Sequence, residues 1–193
     1  MKTDHGVSTE TLAAQILRLG DPLLRQVSAP VVDLANPSFG EDQRRLHATL
    51  VAFRRTHGFG RAISAPQIGV PQRFIALNLG TGPQLLVNPE ITWTSHETFT
   101  MWDDCMSFPS LLVRVQRYQS ISICYLDEHG NRHEWPQLNR ATSELLQHEI
   151  DHLDGILAVD RALDRDSLVL REVFEAQRTY FLRQVDYVIG GND

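Results

Sequence analysis

The stretch His148-Glu149-Ile150-Asp151-His152 constrains this chain more than any other. On a helix, two histidines four positions apart lie one above the other, about 40° apart around the axis. Both imidazoles can then reach one cation from the same face. Glu149 lies on the flank of that stripe, where it can hold a water on the cation and take its proton. The surroundings favour a helix over 141–155, with Asn139 or Thr142 as N-cap and Gly155 as the C-terminal stop. A solvated helix face bearing surface histidines has the same sequence, so the motif alone is a hypothesis. The capping signals at both ends favour the metal.

Two histidines need a third ligand. No histidine follows His152, and Glu172 and Glu175 are the acidic candidates downstream. Upstream, Trp102-Asp103-Asp104-Cys105-Met106-Ser107-Phe108-Pro109 places a cysteine in a short segment leading into LLVRVQR. A thiolate beside two imidazoles suits a transition metal. The alternative for Cys105 is a small buried apolar residue.

The 193 residues suit one domain, 1–193, and 42% hydrophobic residues can bury one core. A formal charge of −6 argues against a DNA- or RNA-binding surface. Two cysteines are too few for a disulfide-built secreted domain. The start, MKTDHGVSTETL, lacks the apolar core of a secretory signal, and no run of about 18 apolar residues suggests a membrane span. A soluble cytoplasmic protein is expected, with an organellar form left open.

Residues 1–14 read as a loose or partly helical extension. Leu46, Leu50 and Phe53 recur at helical spacing, so an N-terminal helix is expected over 40–57. Short strand-like runs follow at 73–79, 85–93 and 120–127, with a hairpin turn signal at 128–131. The segment 166–188 reads as a C-terminal helix. Helices and strands in separate blocks imply an α+β fold: mixed or antiparallel sheets around the central His148–His152 helix, with an N-terminal and a C-terminal helix.

Three separated segments resemble, in order, the signature motifs of peptide deformylases. The first, G-x-G-x-A-A-x-Q, is approximated by Gly60-Arg61-Ala62-Ile63-Ser64-Ala65-Pro66-Gln67. The second, E-G-C-L-S, is approximated by Asp103-Asp104-Cys105-Met106-Ser107. The third, H-E-x-D-H, is complete in His148 to His152. The resemblance runs from about Ile16 to about Asp160. It implies an enzyme that removes the formyl group from the N-terminal methionine of new proteins. It implies one divalent ion held by Cys105, His148 and His152, with Fe²⁺ in the cell and Zn²⁺, Ni²⁺ or Co²⁺ as alternatives. Glu149 would move the proton. The Gln67 amide and the Met106 backbone N–H would face the developing oxyanion. Asp103, in the place of a glutamate, would support a metal-binding histidine.

Gly60, Ala62, Glu144 and Arg114 are expected at the substrate pocket. Ala62 stands where the family has glycine, which matters only if that backbone needs positive φ. Ser64 stands for alanine, and its hydroxyl is expected to bond nearby backbone. Asp104 adds a charge expected to face solvent. Glu144 is the largest departure. It falls on the stripe of His148 and His152, where the family usually has an apolar residue lining the methionine pocket. Either it is buried there, with Arg114 as a candidate partner, or it sits in the first helical turn facing water.

The resemblance implies a formylated peptide N-terminus as substrate and transient ribosome contact. In some bacterial members the terminal helix helps that docking. Here residues 164–193 hold four arginines against six acids, a net of −2, which suits ribosomal RNA poorly. The apolar residues of that segment can pack on the core or on a second subunit, so monomer and homodimer both stand. Three other functions stand beside it: the same metal site acting on another formylated or small amide substrate, a metalloprotease, which the cysteine ligand and the lack of a downstream histidine oppose, and a non-catalytic binding protein.

Overall fold

A computed structural model describes residues 12–189. Most of the expected 1–14 extension lies outside them. Among the described residues, eight strands form two antiparallel sheets. The larger has the order β1 (Ala62–Ser64), β2 (Phe74–Asn78), β3 (Pro83–Thr94), β6 (Ile121–Leu126), β7 (Arg132–Trp135). The smaller joins β4 (Thr98–Asp104), β5 (Leu111–Tyr118) and β8 (Leu168–Leu170). The turn signal at 128–131 does close the β6–β7 hairpin, which pairs Leu126 with Arg132.

Helix α1 (Pro37–His57) and helix α2 (Arg140–Leu153) cover opposite faces of the larger sheet. Strand geometry explains how. Successive side chains of a strand point to opposite faces. Phe74 and Ala76 therefore pack with Leu46, Leu50 and Phe53 of α1, while Ile75 and Leu77 pack with Leu146, Ile150 and Leu153 of α2. With both faces covered, β2 is a continuous apolar run rather than an alternating one. The other side of α2 meets the smaller sheet, so the helix runs between the two sheets.

Helix α1 starts at Pro37, three residues before its expected start, because Asn36 caps it and proline suits the first helical position. Asn139 caps α2 by accepting from the Thr142 N–H at 2.9 Å, and Gly155 follows the helix with φ 72°. No helix among the described residues is long and apolar enough to cross a membrane.

The expected C-terminal helix over 166–188 is not one helix. Leu168–Leu170 pairs antiparallel with Leu111–Val113, and two short helices follow, α3 (Arg171–Ala176) and α4 (Arg178–Leu182). Tertiary pairing overrides the local helical pattern here. The Arg171 N–H bonds the Ser110 carbonyl at 2.8 Å, which keeps the chain on the sheet edge up to that point. Val169, Phe174, Phe181 and Val185 then pack on Trp102 and Leu112, so the segment does cover the core.

Candidate metal centre and adjoining pocket

Cys105 leaves the end of β4 in a tight turn. The Phe108 N–H bonds its carbonyl at 3.1 Å, and the Ser107 N–H approaches its Sγ at 3.4 Å. The turn aims the thiol at α2. There Sγ lies 3.2 Å from His152 Nε2. Ligand atoms of Cys105, His148 and His152 all fall within 4.8 Å of one another, and all three residues are buried.

His148 Nδ1 is 2.9 Å from Asp103 Oδ2, which leaves Nε2 for the cluster. A carboxylate on the far nitrogen fixes the ring and its tautomer, the usual support of a metal-binding imidazole. Asp103 is in turn held by Arg117 at 3.0 Å, Arg117 by Asp151 at 2.5 Å, and Asp151 by Arg161 at 2.6 Å. The donor set of one thiol and two imidazoles fits Fe²⁺ or Zn²⁺, and the carboxylate behind His148 strengthens that fit.

The charges in this buried space follow from the pairs. Burial raises the Asp103 carboxyl, but His148 and Arg117 outweigh it and hold the group well below the usual carboxylate range. Burial disfavours the His148 imidazolium, yet Asp103 keeps it well above the ordinary value. Burial, then the charge on His148, push His152 well below its ordinary value. Burial also raises the Glu149 carboxyl, against the pull of His148 and of a bond from Ser64.

Gln67 sits in a short 3₁₀ turn after β1. Its Oε1 accepts from the Ser64 N–H at 2.9 Å, which turns Nε2 toward Ser107 Oγ at 3.2 Å and Cys105 Sγ at 3.7 Å. Ser64 does bond backbone, as expected, through its Oγ to the Glu149 carbonyl at 2.9 Å. The same hydroxyl also bonds the Glu149 carboxylate. Met106 follows Cys105 and is buried, with its carbonyl accepting from Arg18 at 3.1 Å.

A cleft of about 340 Å³ opens beside these residues. Its walls include Gly60, Arg61, Ala62, Glu144, Leu145 and Ile189. Gly60 has φ 113°, a backbone conformation that favours glycine, and a Cβ there would have to displace the Met106 methyl 2.5 Å away. Ala62 lies in β1, paired with Leu77 and outside the positive-φ residues, which is why alanine is tolerated there.

Glu144 takes the buried alternative, at 2% exposed, and lines the cleft. Its partner is Arg61, whose Nη2 pairs with Oε1 while Nη1 donates to the Ala141 carbonyl at 2.8 Å. Burial raises the Glu144 carboxyl to about 7 even with Arg61 beside it. Arg114 is therefore neither a partner of Glu144 nor a wall of the cleft. It pairs with Asp164 at 2.7 Å. Alternation along β5 is the reason: Val113, Val115 and Arg117 point inward, and Arg114 lies on the opposite face. Asp104 does not simply face solvent. It is half-buried and pairs with Arg171 at 2.9 Å, and that guanidinium stacks over Phe59 at 4.8 Å.

The residues that sequence reasoning missed are Arg61, Arg117 and Asp151, and the bond from Ser64 to the Glu149 carboxylate. Arg61, Ser64 and Asp151 all lie within the motif segments. Arg117 lies in LLVRVQR, three residues after Arg114.

The family model described as polypeptide deformylase matches residues 13–167. The peptide deformylase of Thermotoga neapolitana is 34% identical over 153 residues, covering 79% of this chain and 89% of that protein. The crystal structure of the peptide deformylase from Thermotoga maritima superposes with a TM-score of 0.71 at 32% identity, covering 79% of this chain and 99% of that one. The Synechococcus elongatus enzyme, solved in complex with actinonin, gives 0.73 at 27% identity, covering 89% and 91%.

Proposed function

The chain belongs to the polypeptide deformylase family, and from that premise we propose that it hydrolyses the N-formyl group from the N-terminal methionine of newly made proteins. The observation that carries this reading is the buried Cys105–His148–His152 cluster with Glu149 and the Gln67 amide beside it. Members of the family are metal-dependent, and Cys105, His148 and His152 would hold one divalent ion, Fe²⁺ in the cell with Zn²⁺, Co²⁺ or Ni²⁺ as substitutes. Bound there, the ion supplies Lewis-acid polarisation and a nucleophile at neutral pH.

The chain's own residues do the rest. Glu149 takes a proton as the formyl carbon is attacked and returns it to the departing amine. Ser64 fixes the carboxylate that does so. Gln67 Nε2 and the Met106 backbone N–H are the donors for the oxyanion, each worth typically ~3 kcal/mol. Asp103 holds His148 in the tautomer that leaves Nε2 for the ion. Gly60 lets the substrate-side loop pass close to Met106. The net −2 of residues 164–193 leaves any ribosome contact transient.

A second reading, another formylated substrate, is favoured by one observation, the Arg61–Glu144 pair in the cleft wall. The test of the first is release of formate from formyl-Met-Ala-Ser by protein purified anaerobically with Fe²⁺, beside Glu149→Gln. Turnover by the wild type, lost in the variant at equal metal content, is expected. No turnover by fully metallated wild type would sink the deformylase reading.

A further inference from the structure

The cleft that would receive the first side chain of the substrate is lined by an ion pair. Glu144 lies one turn before His148 on the same stripe of α2, and both line the one cleft. Arg61 stands in front of Glu144. The carboxylate is 2% exposed and the guanidinium 28%, so this pair presents its N–H donors to the cleft, with the carboxylate behind them. Phe59, Ala62, Met106, Leu145 and Ile189 give the rest of the lining an apolar character.

Charge narrows what can enter. Asp103, Asp104, Glu144 and Glu149 all line the cleft, against Arg54 and Arg61. A carboxylate side chain would make a second anion around Arg61, next to Glu144, and like charges at that range are costly. A cationic side chain would face Arg61 and Arg54, with Glu144 already paired. An apolar chain would strip water from the guanidinium and return no hydrogen bond. A neutral amide does neither, since its carbonyl accepts from Arg61 and its N–H groups can donate to Glu144.

Resting on the deformylase reading, we infer that Arg61 and Glu144 set the specificity of this cleft, extending the substrate class to formylated chains whose first side chain is neutral and polar. Glutamine is the type case, and the pair weakens the preference for methionine. A site built from hydrogen-bonding groups discriminates strongly against an isostere that lacks them.

The test compares glutamine with norleucine, its apolar counterpart in length. The deformylated products Gln-Ala-Ser and norleucine-Ala-Ser are titrated calorimetrically into the full Zn²⁺-loaded chain. Formyl-Gln-Ala-Ser and formyl-norleucine-Ala-Ser are compared in formate release. Wild type is expected to bind the glutamine peptide at least about tenfold more tightly. The double variant Arg61→Ile, Glu144→Leu is expected to reverse that order and to raise kcat/KM on formyl-Met-Ala-Ser. Glu144→Gln, which keeps the shape and a bond to Arg61, is expected to retain the glutamine preference. Equal or tighter binding of the norleucine peptide by wild type, or no binding of either, overturns the inference, and this arm decides even if the double variant does not fold. Glutamine preference in binding with no formate from any peptide upholds the inference about the cleft and overturns the deformylase reading instead.

Discussion

The Ser64 hydroxyl donates to the Glu149 main-chain carbonyl at 2.9 Å and also bonds the carboxylate of the same residue. One serine at the end of β1 thus grips the proposed base at both its backbone and its side chain. Glu149 is 4% exposed, so no bulk water replaces that bond if it is removed. A hydrogen bond to a charged group contributes about 1.5–3 kcal/mol. Ser64→Ala, which restores the alanine of the family motif, is therefore expected to lower kcat on formyl-Met-Ala-Ser by at most about tenfold, with KM and metal content unchanged. Steady-state formate release with metal analysis checks this, and an unchanged kcat would remove Ser64 from the account.

Asp103 is the link between His148 and Arg117, at 2.9 and 3.0 Å. It is one methylene shorter than the glutamate it replaces, and it still reaches the ring. Asp103→Asn keeps the size but loses the charge that favours the ring orientation. Metal affinity is expected to fall about 10–100-fold. Competition with a chelator, followed by metal analysis, measures this directly, and wild-type retention would show that Arg117 and packing hold the ring without Asp103.

The part of the site that was legible in the sequence lies on one helix and in two short motifs. His148 and His152 could be placed together because helical spacing is local, and Asn139 and Gly155 mark that helix at both ends. The partner of Glu144 was not legible, because Arg61 and Glu144 are 83 positions apart and only the packing of β1 against α2 joins them. Arg114 could not be placed from the sequence because its position depends on the facing of β5, a strand that the sequence does not mark. In a strand, an odd step along the chain moves a side chain to the other face. β4 was missed for a related reason, since its exposed positions are polar and it ends in Asp103-Asp104. The 166–188 segment has helical periodicity, but its first residues are recruited by the open edge of β5.

Gly155 closes α2 with φ 72°, and a Cβ there would lie 2.6 Å from the Arg25 carbonyl oxygen and 2.8 Å from its carbon. Both obstacles are backbone, so no side-chain rotation relieves them. The left-handed conformation alone costs an alanine about 1–2 kcal/mol. Gly155→Ala is expected to destabilise the protein by at least about 2 kcal/mol, which lowers Tm by roughly 4–8 °C in a chain of this size. Thermal unfolding of the metal-loaded protein tests this. An unchanged Tm would mean that the loop at Arg25 yields freely.

Glu144 gives the stability a pH dependence whose sign is fixed by its burial. Its ordinary value is 4.5, and in the folded protein it is raised to about 7, chiefly by burial and despite Arg61. The folded state therefore holds this proton more tightly than the unfolded state does. The stabilisation is fully present below pH 4.5 and is lost as the pH rises through 7. A displacement of that size corresponds to roughly 3 kcal/mol. In Glu144→Gln there is no proton to lose. The difference in unfolding free energy between wild type and Glu144→Gln is thus expected to shift against the wild type between pH 4.5 and 7.5. Metal-free protein is the material to use, because a cation at His148 would itself favour the ionised carboxylate. Titrating groups remote from Glu144 are common to both proteins and cancel in the difference. A difference that stays flat across this window would mean that burial does not raise the Glu144 carboxyl in the folded protein.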